Sequence, residues 1–105
     1  MPWIMLVAAG LLEVVWAIAM KRSDGFSRAP ETIVFALAAV LSFLLLARAL
    51  RDLPVGTGYA VWTGIGAVGA AIVGIVALGE PAAAGRLVAL ALVAAGIVGL
   101  ALTGA

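Results

Sequence analysis

The sequence predicts an all-α membrane protein, one domain of four transmembrane helices over residues 1–105, and three observations predict it. First, 67% of the residues are hydrophobic and 10% charged, and the mean hydropathy is +1.33. That is far too apolar for a soluble domain, whose apolar share is near half. Second, the charges gather in three groups: Lys21, Arg22, Asp24, Arg28 and Glu31; Arg48, Arg51 and Asp52; and Glu80 with Arg86. Between them lie apolar segments at about 2–20, 31–50, 55–78 and 82–103, each near the ~20 residues that cross ~30 Å of hydrocarbon. Third, runs such as Leu87 to Leu102 are apolar on every side and lack the period-two pattern of barrel strands.

Helix 1 opens with Pro2, favoured in a first helical turn, and ends where Lys21 and Arg22 can snorkel to the interface. Ala17-Ile18-Ala19 imitates a signal-peptide cleavage site. Against that reading, no basic residue precedes the apolar run, an acid interrupts it, and the remainder is still a membrane protein. The acid is Glu13, the one charge outside the three groups. An ionisable side chain at the centre of a membrane helix costs about 2.5–3.5 kcal/mol, and it normally faces a partner, a water-filled cavity or an ion. Glu13 falls about 2–3 Å from the membrane midplane at 1.5 Å per residue. Leu6, Gly10, Glu13, Ala17 and Met20 share its helix face, with Trp16 on the flank. Gly10 and Ala17 admit two readings, close helix packing and the making of a cavity.

Ser23-Asp24-Gly25 is turn chemistry, and Pro30-Glu31 opens helix 2. Helix 2 reads as bland, with Ser42 its one polar interior residue. A serine there often bonds back to its own helix, but Ser42 lies at a depth similar to Glu13, where a hydroxyl can hold a carboxylate.

Leu53-Pro54-Val55-Gly56 turns the chain into helix 3, which carries Gly56, Gly58, Gly64, Gly66, Gly69 and Gly74. Each glycine weakens a helix by up to ~1 kcal/mol relative to alanine, and Gly64-Ile65-Gly66 is the expected hinge. Tyr59, Trp62, Thr63 and Gly66 fall at i, i+3, i+4 and i+7 on one face. For Tyr59 an interfacial belt is an equal reading. Gly79-Glu80-Pro81 closes helix 3 and starts helix 4, with glycine at the stop and proline at the start. Helix 4 has no polar side chain between Arg86 and Thr103 and is assigned no chemistry. Its small residues, among them Ala89 and Gly96, suggest a dimer contact, with ordinary packing inside the chain as the competing view.

An even number of spans puts both termini on one side with Arg48 and Arg51, and the opposite loops hold Lys21, Arg22, Arg28 and Arg86. That bias is too weak for the positive-inside rule to choose an orientation, which makes dual insertion a live expectation. Four short helices around one acid are few for a gated pathway. An antiparallel homodimer would bring two copies of Glu13 together, the two-chain equivalent of an inverted repeat.

The span arrangement and two stretches carry a resemblance. The four short spans, Gly10-x-x-Glu13-x-x-Trp16-Ala17-x-x-x-Lys21-x-Ser23-x-Gly25-Phe26, and Gly56-Thr57-x-Tyr59-Ala60-x-Trp62-Thr63-Gly64-Ile65-Gly66-Ala67 resemble the small multidrug resistance family of proton-coupled exporters over essentially the whole chain. Trp16 and the Trp62-Thr63-Gly64 wording are similar to its guanidinium-exporting subtype. The resemblance implies an antiparallel homodimer in the bacterial inner membrane. It also implies a Glu13 shared between substrate and proton, Ser42, Tyr59 and Trp62 lining the site, and Trp16 beneath the carboxylate. Gly58 departs from the pattern, where an alanine is usual, and leaves local helix stiffness in doubt.

The chemistry is compatible with that implication. A guanidinium ion pairs bidentately with a carboxylate and can meet aromatic faces, whereas quaternary ammonium has no N–H donor yet also fits aromatic cages. Export of quaternary ammonium ions is therefore the alternative, and a non-transporting accessory protein, whose Glu13 pairs with a basic residue elsewhere, is a second. With no Cys and no His, no metal site is expected. Protons as the coupling ion take the place of a cofactor, a guanidinium-type cation and the bilayer are the expected partners, and no nucleic acid is. An enzyme is not expected, because one carboxylate without a nucleophile, metal set or phosphate loop leaves little to run chemistry with.

Overall fold

The computed structural model describes residues 2–103, in four helices: α1 (Pro2–Arg22), α2 (Ala29–Ala49), α3 (Val55–Ala77) and α4 (Ala84–Leu102). All four are long and apolar enough to span a membrane, and no strand occurs among the described residues. Helix 1 runs two residues beyond the expected Met20. Helix 2 starts at Ala29, because Pro30 fits the first helical turn without needing its missing N–H.

The α1–α2 connection is short enough to need left-handed backbone. Asp24, Gly25 and Phe26 have φ of 50°, 71° and 66°. Only glycine adopts this region without cost, so the two flanking residues need local support. Ser23 supplies it. Its buried hydroxyl donates to the Met20 carbonyl at 2.7 Å and accepts the Phe26 N–H at 2.9 Å. The Phe26 ring then lies on Phe35 of α2, centroids 5.0 Å apart.

Helix 1 is the centre of the packing, laid against both α2 and α3, while α4 touches α3 alone. The core joins Leu6 and Ala9 of α1, Leu46 and Ala49 of α2, and Val61 and Trp62 of α3. Helix 4 buries no residue. The whole measures 40 × 34 × 16 Å between Cα atoms, a slab whose short axis is little more than one helix diameter of about 10–12 Å.

The glycines of α3 are notches that receive side chains. A Cβ on Gly64 would lie 2.7 Å from Ile97 Cδ1 of α4. A Cβ on Gly58 would meet Leu50, one on Gly69 would meet Val14, and one on Gly66 would meet the Glu13 carboxyl group. Helix 3 is unbroken from Val55 to Ala77, so the Gly64–Gly66 segment expected as a hinge is continuous helix here and serves close approach on two sides. Close contact of this kind is how membrane helices associate, since lipid supplies no hydrophobic drive between them.

Candidate functional site

Glu13 points from α1 into the gap left by Gly66. Gly10, one turn earlier, is buried against Ile65, to which a Cβ would come within 2.7 Å of Cγ2. Gly10 thus packs helices closely and lets α1 and α3 approach where the acid sits. Glu13 is half-buried, and its Oε1 is buried with no hydrogen-bond partner among the described residues. Trp16 Nε1, one turn along the same helix, is also buried and unpartnered. A buried polar atom left unsatisfied costs about 1–3 kcal/mol. An unused acceptor and an unused donor therefore lie on neighbouring turns.

Ser42 is fully buried, and its hydrogen bonds go elsewhere than expected. Its hydroxyl donates to the Ala9 carbonyl of α1 at 2.7 Å and accepts the Trp62 indole N–H at 3.0 Å. It holds neither the carboxylate nor a carbonyl of its own helix. Instead it ties α1, α2 and α3 together one turn from Glu13 and fixes the Trp62 ring. Trp62 is buried by this arrangement, whereas Tyr59, one turn earlier, is 55% exposed and packs its ring on Trp62 with centroids 5.5 Å apart. Thr63 faces outward, and so do Ala89 and Gly96 of α4; a Cβ on Gly96 would meet nothing.

Helix 2, expected to be bland, contributes two rings that its polar pattern does not reveal. Phe43 stacks on Trp16 at 6.3 Å and tilts against Trp62 at 5.5 Å, and Phe35 meets Trp16 edge-on at 5.9 Å. Phe26, Phe35, Trp16, Phe43, Trp62 and Tyr59 form one continuous chain of ring contacts past the acid. A signal exists in the spacing: Phe35, Ser42 and Phe43 stand at i, i+7 and i+8, on one side of a helix.

Four spanning helices, an acid with an unpartnered oxygen among the described residues and an unpartnered indole donor one turn away define the class. This is a small four-span membrane protein with an ionisable side chain held within its spanning helices. The chain belongs to the small multidrug resistance family, whose model, described as Small Multidrug Resistance protein, matches residues 1–93. It is 59% identical over 103 residues to a guanidinium exporter of Escherichia coli (strain K12), a match covering 98% of each chain. It is 57% identical over 103 residues to a guanidinium exporter of Salmonella typhimurium, again covering 98% of each. A guanidinium exporter of Yersinia pseudotuberculosis is 59% identical over 100 residues, 95% of this chain and 96% of that one.

Proposed function

We propose that this chain exports guanidinium from bacteria across the inner membrane, with Glu13 binding cation and proton in competition, so that inward proton flow drives efflux. The observation that carries the reading is the pair of buried atoms without a partner among the described residues, Glu13 Oε1, whose carboxyl group is seated against Gly66, and Trp16 Nε1, whose ring stacks on Phe43. A planar cation with forked N–H donors satisfies a carboxylate through two bonds and lays its faces on aromatic rings. The relatives named as guanidinium exporters support the cargo, and they also support transport over bond-making as the activity.

The transporting unit is an antiparallel homodimer. One chain is a slab 16 Å thick, too thin to enclose a path around Glu13, and α4 leaves its small residues Ala89, Gly96 and Gly99 uncovered. A second copy against that face gives the open side of the slab a wall. It also brings a second Glu13 to the midplane, and two nearby carboxylates resist both being charged at once. Such a pair exchanges a proton for a cation and does not bind both.

The test is a liposome assay on the purified chain with an imposed pH gradient, comparing guanidinium with tetramethylammonium. Guanidinium efflux that dissipates the gradient, and its loss in Glu13→Gln, is expected. Undiminished transport by that variant overturns the mechanism, and tetramethylammonium as the better cargo overturns the substrate.

A further inference from the structure

Away from Glu13, a groove of about 630 Å³ lies between Met5, near the N-terminal end of α1, and the C-terminal part of α2. Met5 and Leu45 form its floor, Leu41 and Leu44 its outer wall, and Arg48 and Arg51 its rim. The floor is continuous with the core, since Met5 and Leu45 pack on the cluster that contains Trp62. The rim is the turn that ends α2: the Arg51 N–H donates to the Arg48 carbonyl at 3.2 Å, which holds the two arginines at i and i+3 close together.

Three features select an occupant. From Leu41 to Ala49, the end of α2, is eight residues, about 12 Å of helix, and the turn beyond it sets Arg51 near the depth of one leaflet of a ~30 Å hydrocarbon core. The wall is greasy and open to the side, with Leu41 52% and Leu44 62% exposed. The charge on the rim is all of one sign. Arg28 and Arg86 pair with Glu31 and Glu80, but neither Arg48 nor Arg51 forms an ion pair among the described residues, and the neighbouring Asp52 makes none either. An anion on an apolar chain does meet the two arginines, and guanidinium groups bind phosphate bidentately. Basic pockets between spanning helices are recognition sites for anionic lipid headgroups.

We infer that this groove is a binding site for one anionic phospholipid, its phosphate held between Arg48 and Arg51 and an acyl chain lying along Leu41, Leu44, Leu45 and Met5. The lipid covers the outer side of the Trp62 core and joins Met5 of α1 to the C-terminal part of α2.

The experiment titrates the purified full-length chain in detergent with phosphatidylglycerol or phosphatidylcholine, and reads bound lipid by native mass spectrometry and protection by thermal unfolding. One phosphatidylglycerol retained per chain is expected, with phosphatidylcholine weaker by roughly tenfold. Arg48→Gln or Arg51→Gln should weaken phosphatidylglycerol by roughly fivefold each and the double variant by about thirtyfold, in keeping with the contribution of single basic residues near anionic lipid. Leu44→Trp, which fills the groove and keeps both arginines, should also lose the lipid, and it decides the matter if the double variant does not fold. Arg22→Gln, a basic residue that does not line the groove, should weaken phosphatidylglycerol by far less than Arg48→Gln or Arg51→Gln. Equal retention of both lipids, retention by the folded double variant, an equal loss in Arg22→Gln, or equal protection by glycerol phosphate without acyl chains would each overturn the site.

Discussion

Gly66 is the seat of Glu13: a Cβ on Gly66 would fall on the carboxyl group of the acid. The glycine is therefore a condition of where the carboxylate lies, although it has no chemistry of its own. Gly66→Ala must push the Glu13 side chain or the whole of α1 outward. Overpacking at a close contact costs about 1–3 kcal/mol, and here the strain falls on the proposed binding group. We expect guanidinium transport in liposomes to fall about tenfold or more while the helical circular dichroism of the variant is retained.

Gly10 and Ile65 make the neighbouring contact, and they should behave as a coupled pair. Gly10→Ala alone brings a methyl within 2.7 Å of Ile65 Cγ2 and should destabilise the chain by about 1–3 kcal/mol. Ile65→Ala opens the space, so the double variant should recover part of the loss. Denaturation of the four proteins in one detergent gives the coupling energy, expected at about 0.5–3 kcal/mol for residues in contact. Additive losses would mean that α1 and α3 do not meet through this pair.

Much of this molecule is legible in its amino-acid order, and the part that is not has a common cause. Four spans, the lone Glu13 and the nearness of Tyr59 to Trp62 all follow from patterns within one helix, where period and hydropathy speak directly. The ends shift by a residue or two, and α4 starts at Ala84 because the three residues from Pro81 stay outside the helix. What Ser42 bonds to is set by Ala9, 33 residues away, and by Trp62, 20 residues away, and no local pattern states either. The α3 glycines read equally as hinge or as notch until the side chains opposite them are known. Phe43 is inconspicuous in the sequence because a phenylalanine in an apolar helix looks like any other lipid-facing or core residue. Its importance comes from standing between Trp16 and Trp62, which lie on two other helices.

Ser42 should matter through Trp62. Ser42→Ala leaves the Trp62 indole N–H buried without an acceptor, at a cost of about 1–3 kcal/mol. Trp62→Phe removes the donor and leaves Ser42 its bond to Ala9, so loss of the hydrogen bond itself costs less, although the smaller ring forfeits packing. If the bridge is the main contribution of Ser42, then Ser42→Ala in the Trp62→Phe background should cost about 1 kcal/mol less than in the wild type. Thermal unfolding of the four proteins measures the difference.

Phe43 should tune affinity. Its ring bridges Trp16 and Trp62, and Phe43→Leu keeps apolar volume while removing the aromatic face and both ring contacts. An aromatic pair contributes about 0.5–1.5 kcal/mol beyond buried area. A guanidinium affinity weakened by roughly threefold to tenfold, with tryptophan emission shifted as the indoles lose their neighbour, is the expected result of a binding titration. Unchanged affinity with shifted emission would restrict Phe43 to packing.

Competition at Glu13 has a signature in pH that needs no knowledge of where the acid titrates. If one carboxylate takes either a proton or a guanidinium ion, the apparent dissociation constant equals the intrinsic one multiplied by one plus the ratio of proton concentration to the acid's dissociation constant. The sign follows: lowering pH fills the site with protons and weakens cation binding, and raising pH frees it. On the acid side the apparent constant should therefore rise toward tenfold for each pH unit, and on the alkaline side it should level off. Binding on the acid side must also release protons, which an unbuffered indicator dye or calorimetry in two buffers of different ionisation enthalpy can count. Two copies of Glu13 in a dimer would spread the transition over a wider span than one group, since coupled carboxylates titrate in two steps. Co-binding of proton and cation predicts the opposite slope, tighter binding as pH falls. A guanidinium titration from acid to alkaline pH on the wild-type chain, with Glu13→Gln as the proton-blind reference, separates the two by the sign alone.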